Sequence, residues 1–274
     1  MLAPTRTILI TGASSGIGSA TAKLFAERGW SVAATMRNPS DAEAWAKRDN
    51  VATIALDVTD KVSITAAVAA ATDRFGQIDV LLNNAGYGLN GPVEGATEDQ
   101  IRRQFDVNFF GLIDVTTAVL PQMRRRKKGL ILNVSSIGGM IGFPGAALYI
   151  ASKHAVEGLV ESWRYELKPH GIRMKLIEPG GIKTDFINRS SAWTDHPDYA
   201  AQISALKTMT KGLNDSLADP ADVASVILRA AQDGSNRLRY LAKPGSYVLM
   251  NRLLPDRVWR GMIQFALDRQ ARTI

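Results

Sequence analysis

Residues 8–25, ILITGASSGIGSATAKLF, run from an apolar strand through a glycine-rich turn into a helix with nothing between them. The same alternation continues along the chain. β-rich runs are expected at 7–11, 31–35, 52–57, 80–83, 130–135 and 173–178, with a weaker one at 237–241. Helical patterns separate them at 18–28, 41–47, 61–75, 98–123, 149–168 and 220–232. Apolar strands set between helices imply an α/β fold, a doubly wound parallel sheet of about seven strands covered on both faces. Ligands of such a sheet bind beyond the carboxyl ends of its strands, where the strand order switches.

Length and composition narrow the options. The chain has 274 residues, 46% hydrophobic and 22% charged, which suits one Rossmann-type catalytic domain over 1–242 with 243–274 as a C-terminal amphipathic extension of it. There is no cysteine and there are only three histidines, so no metal site is expected and a reducing cytoplasm fits. The N-terminus shows no basic segment followed by an apolar one, so no secretory signal is read. Residues 129–152 carry no charge, but they contain Asn133, Ser135, Ser136, Pro144 and five glycines, an unsuitable mixture for a membrane helix. The net charge is +7, part of it in the run RRRKK at 124–128. That run ends a helical pattern and can complement the negative helix end. No nucleic-acid-binding motif accompanies it, so no nucleic-acid partner is expected.

The first strand carries Gly12, Gly16 and Gly18 as TGxxxGxG. Glycines let the backbone approach a pyrophosphate closely, and the following helix offers unpaired N–H groups and a partial positive charge. Taken alone this is a tight βα turn; in its strand–turn–helix context it reads as a dinucleotide site built from Gly12, Ser14, Ser15, Gly16, Ile17 and Gly18. An acidic residue about 20 residues beyond the glycines would indicate NAD. Here the region reads Ala34-Thr35-Met36-Arg37-Asn38-Pro39. Arg37 can pair with a 2′-phosphate, to which Ser14 and Ser15 can add hydroxyl donors, so NADP(H) is expected over NAD(H).

Further motifs follow in order: Asp57-Val58, NNAG at 83–86, NFFG at 108–111, SS at 135–136, YIASK at 149–153 and PGGIKT at 179–184. With these the chain resembles the short-chain dehydrogenase/reductase family over about residues 5–242, in its compact TGxxxGxG branch. Its segments ATMRNP and EPGGIKTDF are most similar to the 17β-hydroxysteroid and retinol dehydrogenase-like members. The resemblance implies that Asp57 and Val58 border the adenine and that Asn84, Ala85 and Gly86 line the cofactor. It also implies that Pro179 and Gly180 turn the backbone beneath the nicotinamide, which Ile182 and Thr184 contact. Asn108, Ser136, Tyr149 and Lys153 become the catalytic tetrad, Tyr149 and Lys153 also touching the cofactor, with homo-dimers or homo-tetramers formed through the helix bearing Tyr149. Ser136 is preferred to Ser135 because it precedes Tyr149 by thirteen residues, the family's usual spacing.

These residue types suit reduction of a carbonyl. A phenol with a pKa near 10 gives up its proton reluctantly at neutral pH. Lys153, four residues on, shares its helix face and is expected to lower that value. Ser136 can stabilise the developing oxyanion, and Asn108 is expected to hold a water linking Lys153 to solvent. A catalytically idle dinucleotide sensor is the alternative, although such relatives usually lack the tyrosine or lysine. Tyr87, Met140, Phe143, Phe186 and Trp193 are expected to form an apolar substrate pocket, with residues 185–219 as a long irregular lid. A small lipophilic carbonyl or alcohol is then the expected substrate. The extension 243–274 carries six basic and two acidic residues. Val258, Trp259, Met262, Ile263, Ala266 and Leu267 form one apolar face, which packs on the protein's own rim, on a second subunit, or on an anionic membrane surface.

Overall fold

The computed structural model describes residues 5–183, 191–212 and 217–271. Seven strands make the central sheet: β1 (Thr7–Ile10), β2 (Ser31–Met36), β3 (Val51–Ala55), β4 (Val80–Asn83), β6 (Gly129–Val134), β7 (Ile172–Pro179) and β9 (Arg239–Ala242). Side by side they run β3-β2-β1-β4-β6-β7-β9, and every pair is parallel. The chain builds outward from β1 to β3, then crosses back past β1 to lay down β4. The carboxyl ends of β1 and β4 therefore flank the switch point, where a crevice must open.

Alternation along each strand divides the core in two. Ile8 and Ile10 of β1, with Val80 and Leu82 of β4, face Phe25 of helix α1 (Gly16–Glu27) and Ile227 of α7 (Pro220–Gln232). Leu9 and Leu81 point the other way, onto Ile64 of α2 (Lys61–Phe75), Val115 of α4 (Gly111–Arg125) and Val156 of α5 (Ala147–Leu167). A period of two with both faces apolar is what a sheet covered on each side demands.

Several elements differ from the sequence expectation. The helix expected at 41–47 is two short 3₁₀ turns, Pro39–Asp41 and Ala44–Lys47. The helix expected across 98–123 is interrupted: α3 (Glu98–Phe105), a π turn (Asp106–Phe110), then α4. Periodicity does not reveal the extra residue of a π turn, which often marks a functional site. The expected irregular lid contains β8 (Ser191–Trp193) and helix α6 (Ala200–Gly212). β8 pairs in parallel with β5 (Gly88–Asn90), about a hundred residues earlier, and three-residue strands carry too little pattern to be read in advance.

The extension forms α8 (Tyr247–Leu253) and α9 (Asp256–Ala271). Val248 and Trp259 are buried with Ile141, the segment that follows Ser136. The expected single apolar face of α9 is divided: Trp259 is 6% exposed, whereas Val258 is 47% and Met262 43% exposed. Trp259 and Ile263 cover the protein, but the Val258 edge of the stripe turns away from it.

Candidate active site

The glycine turn is held from below by the NNAG segment. The Asn84 side-chain amide donates to the carbonyls of Thr11 (2.9 Å) and Gly12 (3.0 Å), and the Thr11 hydroxyl accepts from the backbone N–H of Asn84 and Ala85. Gly12 has φ +69° and Gly16 φ +55°, backbone that favours glycine. At Gly18 a Cβ would lie 2.2 Å from the Gly12 carbonyl oxygen, so no larger residue fits. Helix α1 then starts with no side-chain cap from Ser15 and no acid in its first turn. Uncapped N–H groups over a cradle that side chains would fill suit a pyrophosphate.

A cleft of about 1150 Å³ opens above this turn. It takes in Gly12, Ser14, Ser15, Gly16, Ile17 and Arg37, then Asp57, Val58, Asn84, Ala85 and Gly86, and at the far side Ser136, Tyr149, Lys153, Pro179, Gly180 and Ile182. Gly18 stands one step behind the wall, and Thr184 lies outside the described residues. At the β2–β3 end, partial burial works to raise the Asp57 carboxyl. It is outweighed by hydrogen bonds from the Thr59 N–H and hydroxyl and by the fields of Arg37 and Arg103, so the pKa falls below its ordinary value. Arg103 was not anticipated from sequence. It belongs to α3, lines the cleft and stands over the Tyr87 ring at 5.9 Å. Neighbouring Arg102 is tied to Glu98 at 2.6 Å, whereas Arg37 and Arg103 close on no carboxylate among the described residues.

Helix α5 delivers Tyr149 and Lys153 one turn apart. Lys153, 5% exposed, donates to the Val134 carbonyl at 2.9 Å, and its Nζ lies 5.8 Å from the Tyr149 ring centre. Burial lowers the Lys153 pKa to about 8, against the raising influence of Glu157. Tyr149 is raised by its own burial, with a hydrogen bond from Ser136 pulling the other way. The net direction is therefore upward, where a lowered phenol was expected: burial outweighs the groups that favour the phenolate, and the Lys153 ammonium also donates to a backbone carbonyl. Ser136 Oγ accepts from the Gly138 N–H at 3.0 Å, which leaves its own proton free to donate.

Asn108 is 2% exposed in the π turn. Its Oδ1 accepts from the Tyr87 N–H (2.9 Å), and its Nδ2 donates to the Tyr87 carbonyl (2.9 Å) and to Ser152 Oγ (3.1 Å). Ser152 in turn donates to the Tyr149 carbonyl at 2.6 Å. The amide therefore braces the loop after NNAG against the helix that bears Tyr149.

A partly buried ionic cluster underlies the serine pair. Arg239 reaches Glu157 (3.1 Å), Glu161 (3.2 Å) and Glu178 (3.0 Å). Burial raises the pKa of Glu157, and burial followed by the field of Glu157 raises Glu178 to about 7. Glu178 Oε1 makes no hydrogen bond of acceptable direction despite its short distance to Arg239, so the ion pair offsets its desolvation only in part. Glu157 was open to prediction, since it lies one turn beyond Lys153; Glu178 and Arg239 meet only through the β7–β9 pairing.

The expected substrate residues separate. Tyr87 lines the cleft. Met140 and Phe143 do not: the 3₁₀ turn Ile137–Gly139 carries them to the extension, where Phe143 meets Tyr247 edge-on at 5.9 Å. Ser191 and Ala192 of β8 line the cleft, whereas Trp193 stands outside its wall beside Lys207 of α6, whose Nζ lies 5.4 Å from its ring centre. Phe186 lies outside the described residues. Leu89, expected with Tyr87 as an apolar residue after NNAG, also lines the cleft, and Ala192 and Leu217 supply apolar walls that the sequence did not single out.

Comparison with known proteins agrees with this geometry. A family model described as short chain dehydrogenase matches residues 6–195. The 3-ketodihydrosphingosine reductase of Bacteroides thetaiotaomicron is 41% identical over 208 residues, covering 74% of this chain and 76% of the relative. Human 17-beta-hydroxysteroid dehydrogenase type 1 is 34% identical over 271 residues, covering 91% and 81%. A short-chain dehydrogenase from Streptomyces avermitilis, of known crystal structure, superimposes with a TM-score of 0.80 at 33% identity, covering 98% of this chain and 96% of that one. With its parallel sheet, glycine turn and YIASK helix, the chain belongs to the short-chain dehydrogenase/reductase family of oxidoreductases acting on CH–OH groups.

Proposed function

We propose that the protein is an NADP(H)-dependent reductase of a lipophilic ketone or aldehyde, able to run in reverse as an alcohol dehydrogenase. The observation that carries the reaction is the Tyr149 phenol hydrogen-bonded to Ser136, with the buried Lys153 beside its ring. The reduced nicotinamide, when bound, supplies the hydride. The carbonyl oxygen then holds an electron pair and needs a proton. Tyr149 O–H gives it, and Ser136 donates to the same oxygen while charge develops. The Lys153 ammonium opposes the negative charge left on the phenolate until solvent restores its proton.

Two features support the finer assignment. Arg37 and Arg103 are cations of the cleft that form no close ion pair among the described residues, and Met36-Arg37 occupies the strand end where an acid would disfavour a 2′-phosphate. Leu89, Ala192 and Leu217 supply an apolar wall. The two relatives act, by name, on a keto-sphingoid base and a hydroxysteroid, both lipophilic. Self-association through α5 is part of the same reading; Tyr165 on that helix is 70% exposed. A monomer by light scattering would remove that part alone.

A screen of NADPH oxidation over steroid, sphingoid, retinoid and simple aromatic ketones tests the activity. Tyr149→Phe should lower turnover about a hundredfold or more while retaining cofactor binding. Turnover undiminished in that variant would overturn the tyrosine assignment. Met36→Asp should move preference toward NADH, and unchanged preference would remove the NADP(H) reading.

A further inference from the structure

Among the described residues, ten large hydrophobic side chains stand exposed, and six of them fall in residues 243–271: Tyr247, Leu249, Leu253, Val258, Met262 and Phe265. They are ordered by helix geometry. On α9, Val258, Met262 and Phe265 (47%, 43% and 68% exposed) follow at intervals of four and three, one stripe along the helix, with Arg269 four residues further on. The inner side of the same helix already carries Trp259, 6% exposed, packed with Ile141 and Val248. On α8, Leu249 and Leu253 (61% and 72% exposed) lie one turn apart, while Val248 points inward. Each helix therefore packs on the protein by one apolar edge and offers a second edge to the surroundings.

Charge selects the partner. Residues 243–271 carry five basic residues against two acidic ones; Asp256 is engaged by Arg260 at 2.7 Å, and Lys243 pairs with Asp222 at 3.5 Å. A second copy of this surface would bring two positive extensions together. An anionic surface is attracted to it, and a fluid one accepts two separate apolar stripes without a matching shape. We infer that residues 243–271 dock this end of the molecule on a bilayer containing anionic phospholipids, with the exposed stripes at the boundary of headgroups and acyl chains and the arginines among the phosphates. No helix among the described residues is long and apolar enough to cross a membrane, so the contact is peripheral. The inner edges of these helices abut the Ile141 segment that follows Ser136. The docking is independent of which carbonyl compound is reduced.

The test is flotation of the full chain with vesicles of phosphatidylcholine alone and of equal parts phosphatidylcholine and phosphatidylglycerol, at low and high salt. The anionic vesicles should bind about tenfold more tightly, and salt should reverse this. The combined variant Val258→Ser, Met262→Ser, Phe265→Ser should weaken binding about tenfold while its circular dichroism and melting transition stay unchanged. Equal binding to both vesicles, or binding that ignores the triple variant, overturns the inference. So does light scattering that shows the triple variant splitting an oligomer, because a second copy would then be the partner.

Discussion

Replacing Glu178 with glutamine should alter how stability depends on pH. The carboxyl is fully buried at the carboxyl end of β7, immediately before Pro179 and Gly180 of the cleft. Burial, then the charge of Glu157, raise its pKa from 4.5 to about 7 against the pull of Arg239. Below the ordinary value both folded and unfolded chains hold the proton, and the group imposes no penalty. Between 4.5 and about 7 the unfolded chain has released it while the folded chain keeps it, so the native state binds more protons and stability falls as pH rises. At roughly 1.4 kcal/mol per unit, the full decline is about 3 kcal/mol and is complete above that range. Glutamine copies the protonated acid and cannot ionise, and Arg239 keeps Glu157 and Glu161 as partners. Urea unfolding followed by circular dichroism at about pH 5 and about pH 8 should show the wild type losing about 2.5 kcal/mol more than the variant between the two, since part of the decline already lies below about pH 5. Parallel losses in the two proteins would refute the assignment of a protonated Glu178.

Arg103→Gln should weaken cofactor binding about tenfold by fluorescence titration, the loss of one charge-assisted contact, while Arg102→Gln, whose side chain is occupied by Glu98, should not. Equal behaviour of the two variants would remove Arg103 from the cofactor end. In the reductive direction, kcat/KM for the cofactor, which reports the unliganded enzyme, should fall as pH rises through about 8, where Lys153 loses its charge. A profile level through that pH would contradict the burial-lowered lysine. Gly18→Ala should destabilise the fold by about 1–3 kcal/mol, because its Cβ would meet the Gly12 carbonyl at 2.2 Å; a variant melting with the wild type would show that the turn relaxes freely.

The central sheet was legible because its signal is local. Each strand is an apolar run whose alternate residues must face helices, and β1, β4 and β6 stand within a residue or two of their expected places. The glycine turn was legible for a similar reason, since a strand, a turn and a helix leave little choice of backbone. The π turn was not, because one extra residue in a helix does not disturb an apolar stripe enough to be noticed. Nor was the fate of Met140 and Phe143, whose direction depends on a turn and on helices a hundred residues later.

The sequence by itself determined the parallel sheet, the place of the cleft at the ends of β1 and β4, and the one-turn separation of Tyr149 and Lys153. These follow from periodicity and from the geometry of a single helix. Only the tertiary structure decided what surrounds each charge. It turned Lys153 to the Val134 carbonyl, gave Tyr149 a partner in Ser136, brought Arg103 to the cofactor end, and gathered Glu157, Glu178 and Arg239 under the serines. The pKa of a group depends on its burial and on charges a few ångströms away, and those neighbours come from strands and helices far apart in the chain.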